Sequence, residues 1–320
     1  MKGKIVITGG AGFIGSALVR AVLNDGAEYV TVVDNFLSGT EKNLAEVRSR
    51  VDLHNVDIRD LDAVSRVVEG ADTVFHLAAI PSVPKSIDAP IPSHDVNANG
   101  TFNVYLAAAQ AGVRRVVYAA SSSAYGDTKV LPKVETMSPS PKSPYAVQKL
   151  LGEHYAAAFH SCFDLETVSL RFFNVYGPRQ DPSSPYSGVL SIFIKSIVSG
   201  KAPTIFGDGS VTRDFTYVED VTALLLKAAT APGVSGKVYN AGNGNRYSLN
   251  EVWEQLQEIA GVQIPANYGP SRPGDVADSQ ADTTAAVRDL HHNPSYSLEQ
   301  GLRLTLDWYL KDLDSSSAAG

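Results

Sequence analysis

Tyr145 and Lys149 are the residues of this sequence best suited to acid–base chemistry. They lie four residues apart behind Ser143 and Pro144, a favoured N-cap followed by a residue tolerated at the first helical position. The segment therefore predicts a helix over 145–159 with both side chains on one face. A tyrosine phenol has a pKa of about 10, and a nearby ammonium favours its phenolate. The pair is a candidate acid–base pair, although an ordinary amphipathic helix shows the same spacing.

Three consecutive serines, Ser121, Ser122 and Ser123, follow an apolar run that predicts a buried strand over 113–119. In a parallel sheet, ligands bind beyond the carboxyl ends of the strands. A serine at that edge can hydrogen-bond a substrate hydroxyl or carbonyl beside Tyr145. Considered alone, the triplet is also typical of a hydroxyl-rich turn.

A glycine-rich loop joins the first predicted strand to the first predicted helix. The spacing satisfies G-x-G-x-x-G and the looser G-x-x-G-x-x-G, at Gly9, Gly10, Gly12 and Gly15. Without a Cβ, the backbone can approach a pyrophosphate, whose charge then lies at the helix N-terminus. Asp34 ends the second apolar run, where a carboxylate can accept hydrogen bonds from the adenosine ribose. Asn35 follows with no arginine nearby for a 2′-phosphate, so the sequence predicts NAD rather than NADP.

The composition excludes several classes of protein. A net charge of −7 and the absence of a basic run argue against binding to nucleic acid or to an anionic membrane. Cys162 is the one cysteine, so it excludes an internal disulfide, fits a reducing compartment and is expected to be a buried bystander rather than a metal ligand. The chain begins with a strand and has no apolar run near the ~18 residues of a bilayer span, so a cytoplasmic protein is expected.

Strands and helices alternate through the first half of the chain. The predicted strands include 51–56, 73–77, 113–119 and 165–172, and the predicted helices include 61–68, 96–111 and 145–159. This succession predicts an α/β fold: a Rossmann doubly wound parallel sheet with a smaller C-terminal substrate domain.

The alternation breaks after residue 173. Residues 1–173 are expected to form the cofactor domain, with a segment near 211–244 returning to it, and residues 174–210 and 245–312 the substrate domain. The glycines and prolines of 174–188 predict a long loop, and Ser248 begins a capping box before a helix that reaches Ala260. The tail, 313–320, is expected to be disordered.

As a set, these motifs resemble the extended short-chain dehydrogenase/reductase superfamily, and more closely its NAD-dependent epimerases and dehydratases of nucleotide sugars. The resemblance covers the chain from residue 4 to about residue 310. The motifs that carry it are the glycine loop, Asp34, Leu77-Ala78-Ala79, the serine triplet before Tyr125-Gly126, and Tyr145-x-x-x-Lys149.

The resemblance implies a role for each matched residue. Tyr145 would be the base and acid, Lys149 would lower the pKa of Tyr145 and hold the nicotinamide ribose, and Ser121 would be the hydroxyl partner, with Ser122 close enough to share that role. The implied NAD contacts are Gly9, Gly12, Phe13, Ile14, Gly15, Asp34, Asn35, Asp57, Ile58, Leu77, Ala78, Ala79, Asn97, Tyr145 and Lys149.

Ser122 and Ser123 narrow the reaction that the resemblance implies. The 4,6-dehydratases have Asp and Glu at these two positions, and the UDP-glucuronate decarboxylases have Glu at the second. Hydroxyls are poor proton donors and acceptors, so elimination of water is disfavoured here. Epimerisation, through reversible oxidation at one carbon, is the remaining reaction.

The second half resembles the family's nucleotide-sugar site. R-x-x-N-V-Y-G-P occurs from Arg171 to Pro178, and R-x-G-D begins at Arg272. The resemblance places Phe206 on the uracil, Arg213 and Arg272 on phosphate, and Asp275 on the uridine ribose. The implied substrate contacts are Ser121, Ser122, Asn174, Val189, Thr204, Phe206, Arg213, Arg272, Asp275 and Ser279.

Two positions bear on the sugar. Ser279 aligns with a position whose bulk limits substituents at C2, and a small residue there leaves room for an N-acetyl group. The loop at 81–86 resembles the S-V-P-[KR]-S loop of N-acetylhexosamine 4-epimerases. The expected protein is an NAD-dependent 4-epimerase of UDP-Glc/UDP-Gal, of UDP-GlcNAc/UDP-GalNAc or of both, working through a transient 4-keto sugar, and a homodimer. A dehydratase, a reductase, a uronic-acid epimerase and a silent NAD-binding regulator are the alternatives.

Overall fold

The computed structural model describes residues 1–181, 188–270 and 278–318, with side chains described as far as Leu313. Its strands in chain order are β1 Lys4–Thr8, β2 Tyr29–Asp34, β3 Asp52–Asn55, β4 Ala71–His76, β5 Arg115–Ser121, β6 Glu166–Phe172, β7 Asn174–Tyr176, β8 Thr204–Phe206, β9 Thr212–Arg213, β10 Phe215–Tyr217, β11 Lys237–Ala241, β12 Tyr247–Ser248 and β13 Asn267–Gly269.

The helices complete the alternation seen in the sequence. They are α1 Phe13–Asn24, α2 Leu61–Val68, α3 Val83–Asp88, α4 Pro90–His94, α5 Thr101–Gln110, α6 Pro144–Phe163, α7 Val189–Ser199, α8 Val218–Thr230, α9 Leu249–Ala260, α10 Thr284–Leu290 and α11 Leu298–Ala318. A 3-10 segment, Glu41–Arg50, follows β2, and a π-helical turn, Asp95–Gly100, leads into α5.

Seven strands form one parallel sheet in the order β11-β6-β5-β4-β1-β2-β3. The order reverses between β1 and β4, and helices cover both faces, so the predicted doubly wound parallel sheet is confirmed. One face packs against α1 and α8, where Leu18 and Leu224 are fully buried. The other packs against α2, α5 and α6, where Tyr105 and Phe159 are buried. A parallel sheet buried on both faces explains the nearly continuous apolar strands of the sequence.

A second apolar cluster holds together a smaller group of elements, called here the small lobe. It consists of α7, α9 and α11 with the strand pairs β8–β13 and β9–β12, and its core includes Phe193, Trp253 and Leu302. The predicted capping box is present at Ser248, whose hydroxyl accepts from the Glu251 amide while the Glu251 carboxylate accepts from the Ser248 amide.

Three local expectations differ from the structure. The predicted loop over 174–188 opens with strand β7, which pairs in parallel with β10, a partner some 40 residues away that local composition cannot reveal. Cys162 is exposed rather than buried, because the buried stripe of α6 ends at Phe159 and the last turn projects into solvent. The last helix continues to Ala318, past the start of the expected tail. Among the described residues, no helix has both the length and the apolar character of a membrane span.

Candidate active site

A cleft of about 1200 Å³ opens at the carboxyl ends of the central strands, between the sheet and the small lobe. Most of the residues implied as cofactor or catalytic contacts line it together. These are Gly9, Gly12, Phe13, Ile14, Gly15, Asp34, Asn35, Ile58, Leu77, Ala78, Ala79, Ser121, Tyr145 and Lys149. The fold therefore brings residues at or just after the ends of β1, β2, β4 and β5 together with residues of α6 around one cleft.

The loop after β1 forms a backbone cradle. Gly9 has a φ of +70°, and a Cβ there would lie 2.7 Å from the amide nitrogen of Ala78. A Cβ on Gly15 would collide with the carbonyl of Gly9. No side chain caps α1 at Gly12, so the amides of its first turn are available to a ligand. Uncapped amides and missing Cβ atoms fit the pyrophosphate of a dinucleotide.

Asp34 lies at the end of β2 and is buried. Its carboxylate accepts hydrogen bonds from the amides of Ala11 and Phe36, both at 2.9 Å. Burial raises its pKa, and the two amide bonds partly oppose that shift. These bonds fix the carboxylate in the cleft, where its remaining lone pairs can accept from ribose hydroxyls.

Asp57 lies next to this region but is not part of the cleft wall. Its carboxylate accepts from Arg59 at 2.7 Å and from the Asn35 side chain at 2.9 Å. The hydrogen bonds from Arg59 are the main reason that its pKa lies well below the usual range. Asp57 therefore orients Asn35, which lines the cleft, while Ile58 beside it lines the cleft directly.

Ser121 and Tyr145 meet at the end of β5. Their side chains are hydrogen-bonded. Ser123, rather than Ser122, supports this contact, because its hydroxyl donates to Ser121 Oγ at 2.8 Å and its amide does so at 3.2 Å. Ser122 is half-buried and lies outside the cleft wall. The role of Ser123 follows from the 3-10 turn that begins here, which the triplet alone did not indicate.

The resemblance implies that Lys149 lowers the pKa of Tyr145, but in the structure burial has the larger effect on that pKa. Burial raises the pKa of Tyr145 to about 12, and the hydrogen bond with Ser121 only partly opposes this. Burial also lowers the pKa of Lys149 to about 7, opposed by the negative charge of Glu153. Desolvation thus outweighs the pairing that the sequence suggests. With this raised pKa, Tyr145 carries its proton at neutral pH.

Two serines fix where α6 begins. Ser143 is its N-cap and accepts from the amide of Ala146 at 3.2 Å, as the sequence predicts. Ser86 of α3 accepts from the amide of Tyr145 at 3.1 Å and is fully buried. The sequence interpretation missed Ser86, since the two residues are 59 positions apart. This bond ties α3 to the backbone of the tyrosine.

Asn97 does not line the cleft. It is buried, its Oδ1 accepts from the amide of Ile80 at 2.7 Å, and its Nδ2 donates to the Gln148 side chain at 2.9 Å. The side-chain amide of Asn97, an implied NAD contact, therefore holds the chain after β4 against α6. Asn97 therefore does not face the cleft but fixes the position of Ile80, which lines it.

Asn174 and Ser279 are brought together although 105 residues separate them. The Asn174 amide donates to Ser279 Oγ at 3.2 Å and to the backbone carbonyl of Asp214 at 3.1 Å. Asp214 is buried, and its carboxylate accepts from the amides of Asn243, Gly244 and Ala281. Burial raises the pKa of Asp214, and these amides oppose the shift. Asp214 thus holds Ser279 and Asn174 in one place.

The other implied substrate contacts lie in the small lobe. Val189 is the first residue of α7, Thr204 and Phe206 are the ends of β8, and Arg213 ends β9. None of these four lines the described cleft wall, although Gly188, Lys195 and Val198 around α7 do. Arg272 and Asp275 lie outside the described residues.

Comparison with known proteins fits this arrangement of cradle, serine, tyrosine and lysine. The model of the NAD dependent epimerase/dehydratase family matches residues 5–242. The chain belongs to that family. NAD is accordingly its cofactor, and the glycine cradle and Asp34 are the part of the cleft that fits it.

Three relatives show the range of the family near this chain. The UDP-glucose 4-epimerase of Mycolicibacterium smegmatis is 37% identical over 310 residues, which are 96% of this chain and 98% of that one. The solved UDP-N-acetylglucosamine 4-epimerase of Methanobrevibacter ruminantium, in complex with UDP-N-acetylmuramic acid, is 34% identical, with a TM-score of 0.93 and coverage of 98% and 100%. The UDP-glucuronic acid 4-epimerase of Bacillus cereus, solved as a mutant with a fluorinated substrate analogue and NAD, is 33% identical, with a TM-score of 0.90 and coverage of 97% and 99%.

Proposed function

We propose that this chain is a UDP-hexose 4-epimerase that acts on UDP-Glc/UDP-Gal, UDP-GlcNAc/UDP-GalNAc or both. The observation that carries the proposal is the hydrogen-bonded pair Tyr145–Ser121 on the cleft, followed by Ser122 and Ser123 where eliminating enzymes of the family need acids. This wall can move one proton to and from a hydroxyl. Ser122 and Ser123, as hydroxyl residues, do not supply the second acid–base group that removal of water requires.

Tyr145 is the acid and base of the proposed reaction. NAD, when bound, supplies the hydride acceptor and donor together with a positive nicotinamide ring. Near that charge the Tyr145 proton is lost more easily, and the phenolate accepts the proton of the sugar 4-hydroxyl while Ser121 orients the same oxygen. Lys149, four residues further along the same face of α6, holds positive charge behind the phenolate. After the 4-keto sugar has turned, Tyr145 returns the proton.

The nucleotide holds the sugar while it turns. In the proposal, Phe206 stacks on the uracil, Arg213 and Arg272 pair with the diphosphate, and Asp275 binds the uridine ribose, with further contacts from Asn174, Val189, Thr204 and Ser279. A guanidinium binds phosphate strongly through its planar fork of donors. Because these contacts are to UDP, the sugar is free to present either face to Tyr145.

The experiment is incubation of the purified protein with UDP-Glc, UDP-Gal, UDP-GlcNAc, UDP-GalNAc and UDP-glucuronic acid, separately and without added NAD. Products are resolved by chromatography and mass spectrometry. We expect each active substrate to be interconverted with its 4-epimer at unchanged mass. A product lighter by one water, or turnover only with stoichiometric external NAD(H), would contradict the proposal and indicate a dehydratase or a reductase.

A UDP-uronic acid is the second candidate substrate. Lys85 lines the cleft together with Ser82 and Tyr145, and an ammonium on that wall favours an anionic sugar. The Bacillus cereus relative named for UDP-glucuronic acid supports the same alternative. The UDP-glucuronic acid sample decides between the two. Lys85→Met should lower the rate with the uronic acid only if the carboxylate binds there.

A homodimer is also part of the proposal. The helices α5 and α6 pack side by side, and Phe102 and Val147 on their outer surfaces are 36% and 51% exposed. Light scattering should give twice the 34.1 kDa of the chain. A monomeric mass at micromolar concentration would contradict it.

A further inference from the structure

We propose that the aromatic face of Tyr118 positions the Lys149 ammonium, so that Tyr118 is a positioning residue of the active site. Tyr118 lies on β5, three residues before Ser121, and is fully buried. The Nζ atom of Lys149 lies 4.6 Å from the centroid of its ring. At that distance a cation is attracted to the negative face of an aromatic ring, most strongly where water is excluded.

The backbone of α6 is shaped for this contact. A Cβ at Gly152 would collide with the Cζ and Oη atoms of Tyr118, so the ring reaches the helix only because residue 152 is glycine. The Tyr118 hydroxyl also donates to the carbonyl oxygen of Lys149 at 3.3 Å. Glycine in the interior of a helix is destabilising relative to alanine. Its presence here lets the ring lie directly beneath the lysine.

A buried, neutral histidine also stacks on the Tyr118 ring. His76 stacks on Tyr118 with centroids 5.6 Å apart, and its two ring nitrogens are bonded to Thr8 at 2.7 Å and Thr101 at 3.0 Å. Burial, and then the charge of Lys149, lower the pKa of His76 to about 3. The Tyr118 ring therefore contacts one cation, Lys149, and one uncharged ring, His76.

The other ionisable groups around this contact come from three elements, α5, α6 and β6. Glu153 on α6 faces Lys149 and is itself bound by Arg171 of β6 through bonds of 2.9 and 2.7 Å. Tyr145 on α6 and Tyr105 on α5 lie near Tyr118 and are protonated at neutral pH. Glu153 is thus the one carboxylate near the lysine among the described residues, and it is shared with Arg171. The ring of Tyr118 supplies the rest of the attraction.

The test reduces the negative charge on the face of the ring at position 118 while keeping the shape of the ring nearly unchanged. Tyr118→Phe keeps the ring, and one, two or three fluorines placed on a phenylalanine at position 118 progressively reduce its negative face. The amine of Lys149 is titrated by NMR in the full-length protein with labelled lysine, assigned by its loss in Lys149→Arg. We expect little change in Tyr118→Phe, and a pKa of Lys149 that falls with each fluorine by about one unit in total, a tenfold change in proton affinity.

The matched control is Tyr105→Phe and the same fluorinated series at position 105. Tyr105 is equally buried and its ring centroid lies 6.1 Å from that of Tyr118, whereas the ring over which Lys149 Nζ lies is that of Tyr118. The control series should leave the titration of Lys149 unchanged. A pKa of Lys149 that is independent of fluorine number at position 118, or that responds equally at position 105, would overturn the proposal. Thermal unfolding of each variant shows that the fold is intact.

An effect of Tyr118 on catalysis rests on the proposed function. The kinetic measurement and the amine titration therefore test the proposed function and the role of Tyr118 separately. If the protein epimerises a UDP-sugar, the fluorinated series at position 118 should lower kcat about tenfold with KM changed less than twofold, and should shift its pH profile in parallel with the amine. If no UDP-sugar is turned over, the proposed function fails, while the amine titration still decides whether Tyr118 positions Lys149.

Discussion

The two walls of the cleft are built in different ways. The α6 wall, formed by Ser121, Tyr145 and Lys149, comes from a 20-residue helix and from the end of a central strand whose other residues are all buried. The small lobe presents its implied contacts from a three-residue strand, a two-residue strand and the start of α7. The difference fits two tasks: proton transfer requires fixed geometry, whereas binding of a nucleotide can be shared among several contacts.

If the α6 wall carries the chemistry, its tyrosine hydroxyl should be the most costly group to remove. Tyr145→Phe deletes only that oxygen, and we expect kcat to fall about 10²- to 10⁴-fold because general acid–base catalysis is lost. Tyr155→Phe on the same helix, whose ring packs on Phe102, should stay within twofold. NAD released on denaturation should be unchanged in both variants. Near-normal turnover by Tyr145→Phe would make the comparison of the walls wrong.

The buried ion pair behind the α6 wall should contribute more to stability than an exposed ion pair of the small lobe. Glu153 and Arg171 form a buried ion pair at 2.7 Å behind Lys149, whereas Glu299 and Arg303 form an exposed pair at 3.2 Å on α11. Glu153→Ala leaves a buried guanidinium unpaired, and the free energy of unfolding should fall by about 3–5 kcal/mol. Glu299→Ala should cost less than about 1 kcal/mol. If denaturant titrations gave the same loss of unfolding free energy for both variants, the buried pair would contribute no more to stability than the exposed one.

On the small-lobe side, loss of a contact should weaken binding rather than the chemical step. Arg213→Ala removes a proposed charge-assisted bond to phosphate, so KM should rise about 10- to 100-fold while kcat changes less than about threefold. Arg288→Ala, an exposed arginine of α10 paired with Asp289, serves as the control and should leave both constants unchanged. Steady-state kinetics measure this. A fall in kcat as large as the rise in KM would assign Arg213 to the chemistry.

The last prediction concerns how the stability of the α6 side of the cleft depends on pH. His76, behind the α6 wall, has a folded-state pKa of about 3 against about 6.5 when unfolded. Between these pH values the unfolded chain binds a proton that the folded chain does not. The contribution of His76 to stability is therefore fully present above pH 6.5 and is lost as the pH falls toward 3. This residue should account for about 2 kcal/mol between pH 8 and pH 5.

Denaturant titrations of the wild type and His76→Gln at both pH values isolate that contribution. His292 also has a pKa lowered by burial and contributes with the same sign in both proteins, so it cancels in the difference. An identical loss of stability in the two proteins would mean that His76 is protonated in the folded state.

The sequence by itself determined the features that depend on a few neighbouring residues. The spacing of Gly9, Gly12 and Gly15 specifies a turn against a helix start, Ser143 and Ser248 specify helix starts, and the four-residue spacing from Tyr145 to Lys149 specifies one helical face. These follow from backbone geometry and from hydrogen bonds within one turn, which local sequence encodes. The buried parallel strands were likewise visible as apolar runs.

Tertiary structure decided everything that depends on desolvation or on distant partners. Asn97 turned from the cleft because Ile80 and Gln148 satisfy its amide, and Asn174 meets Ser279 because buried Asp214 gathers both segments. The pKa of Tyr145 rises because burial outweighs the effect expected from Lys149. Burial is a property of the packed chain, so no spacing of residues along the sequence can supply its sign or its size.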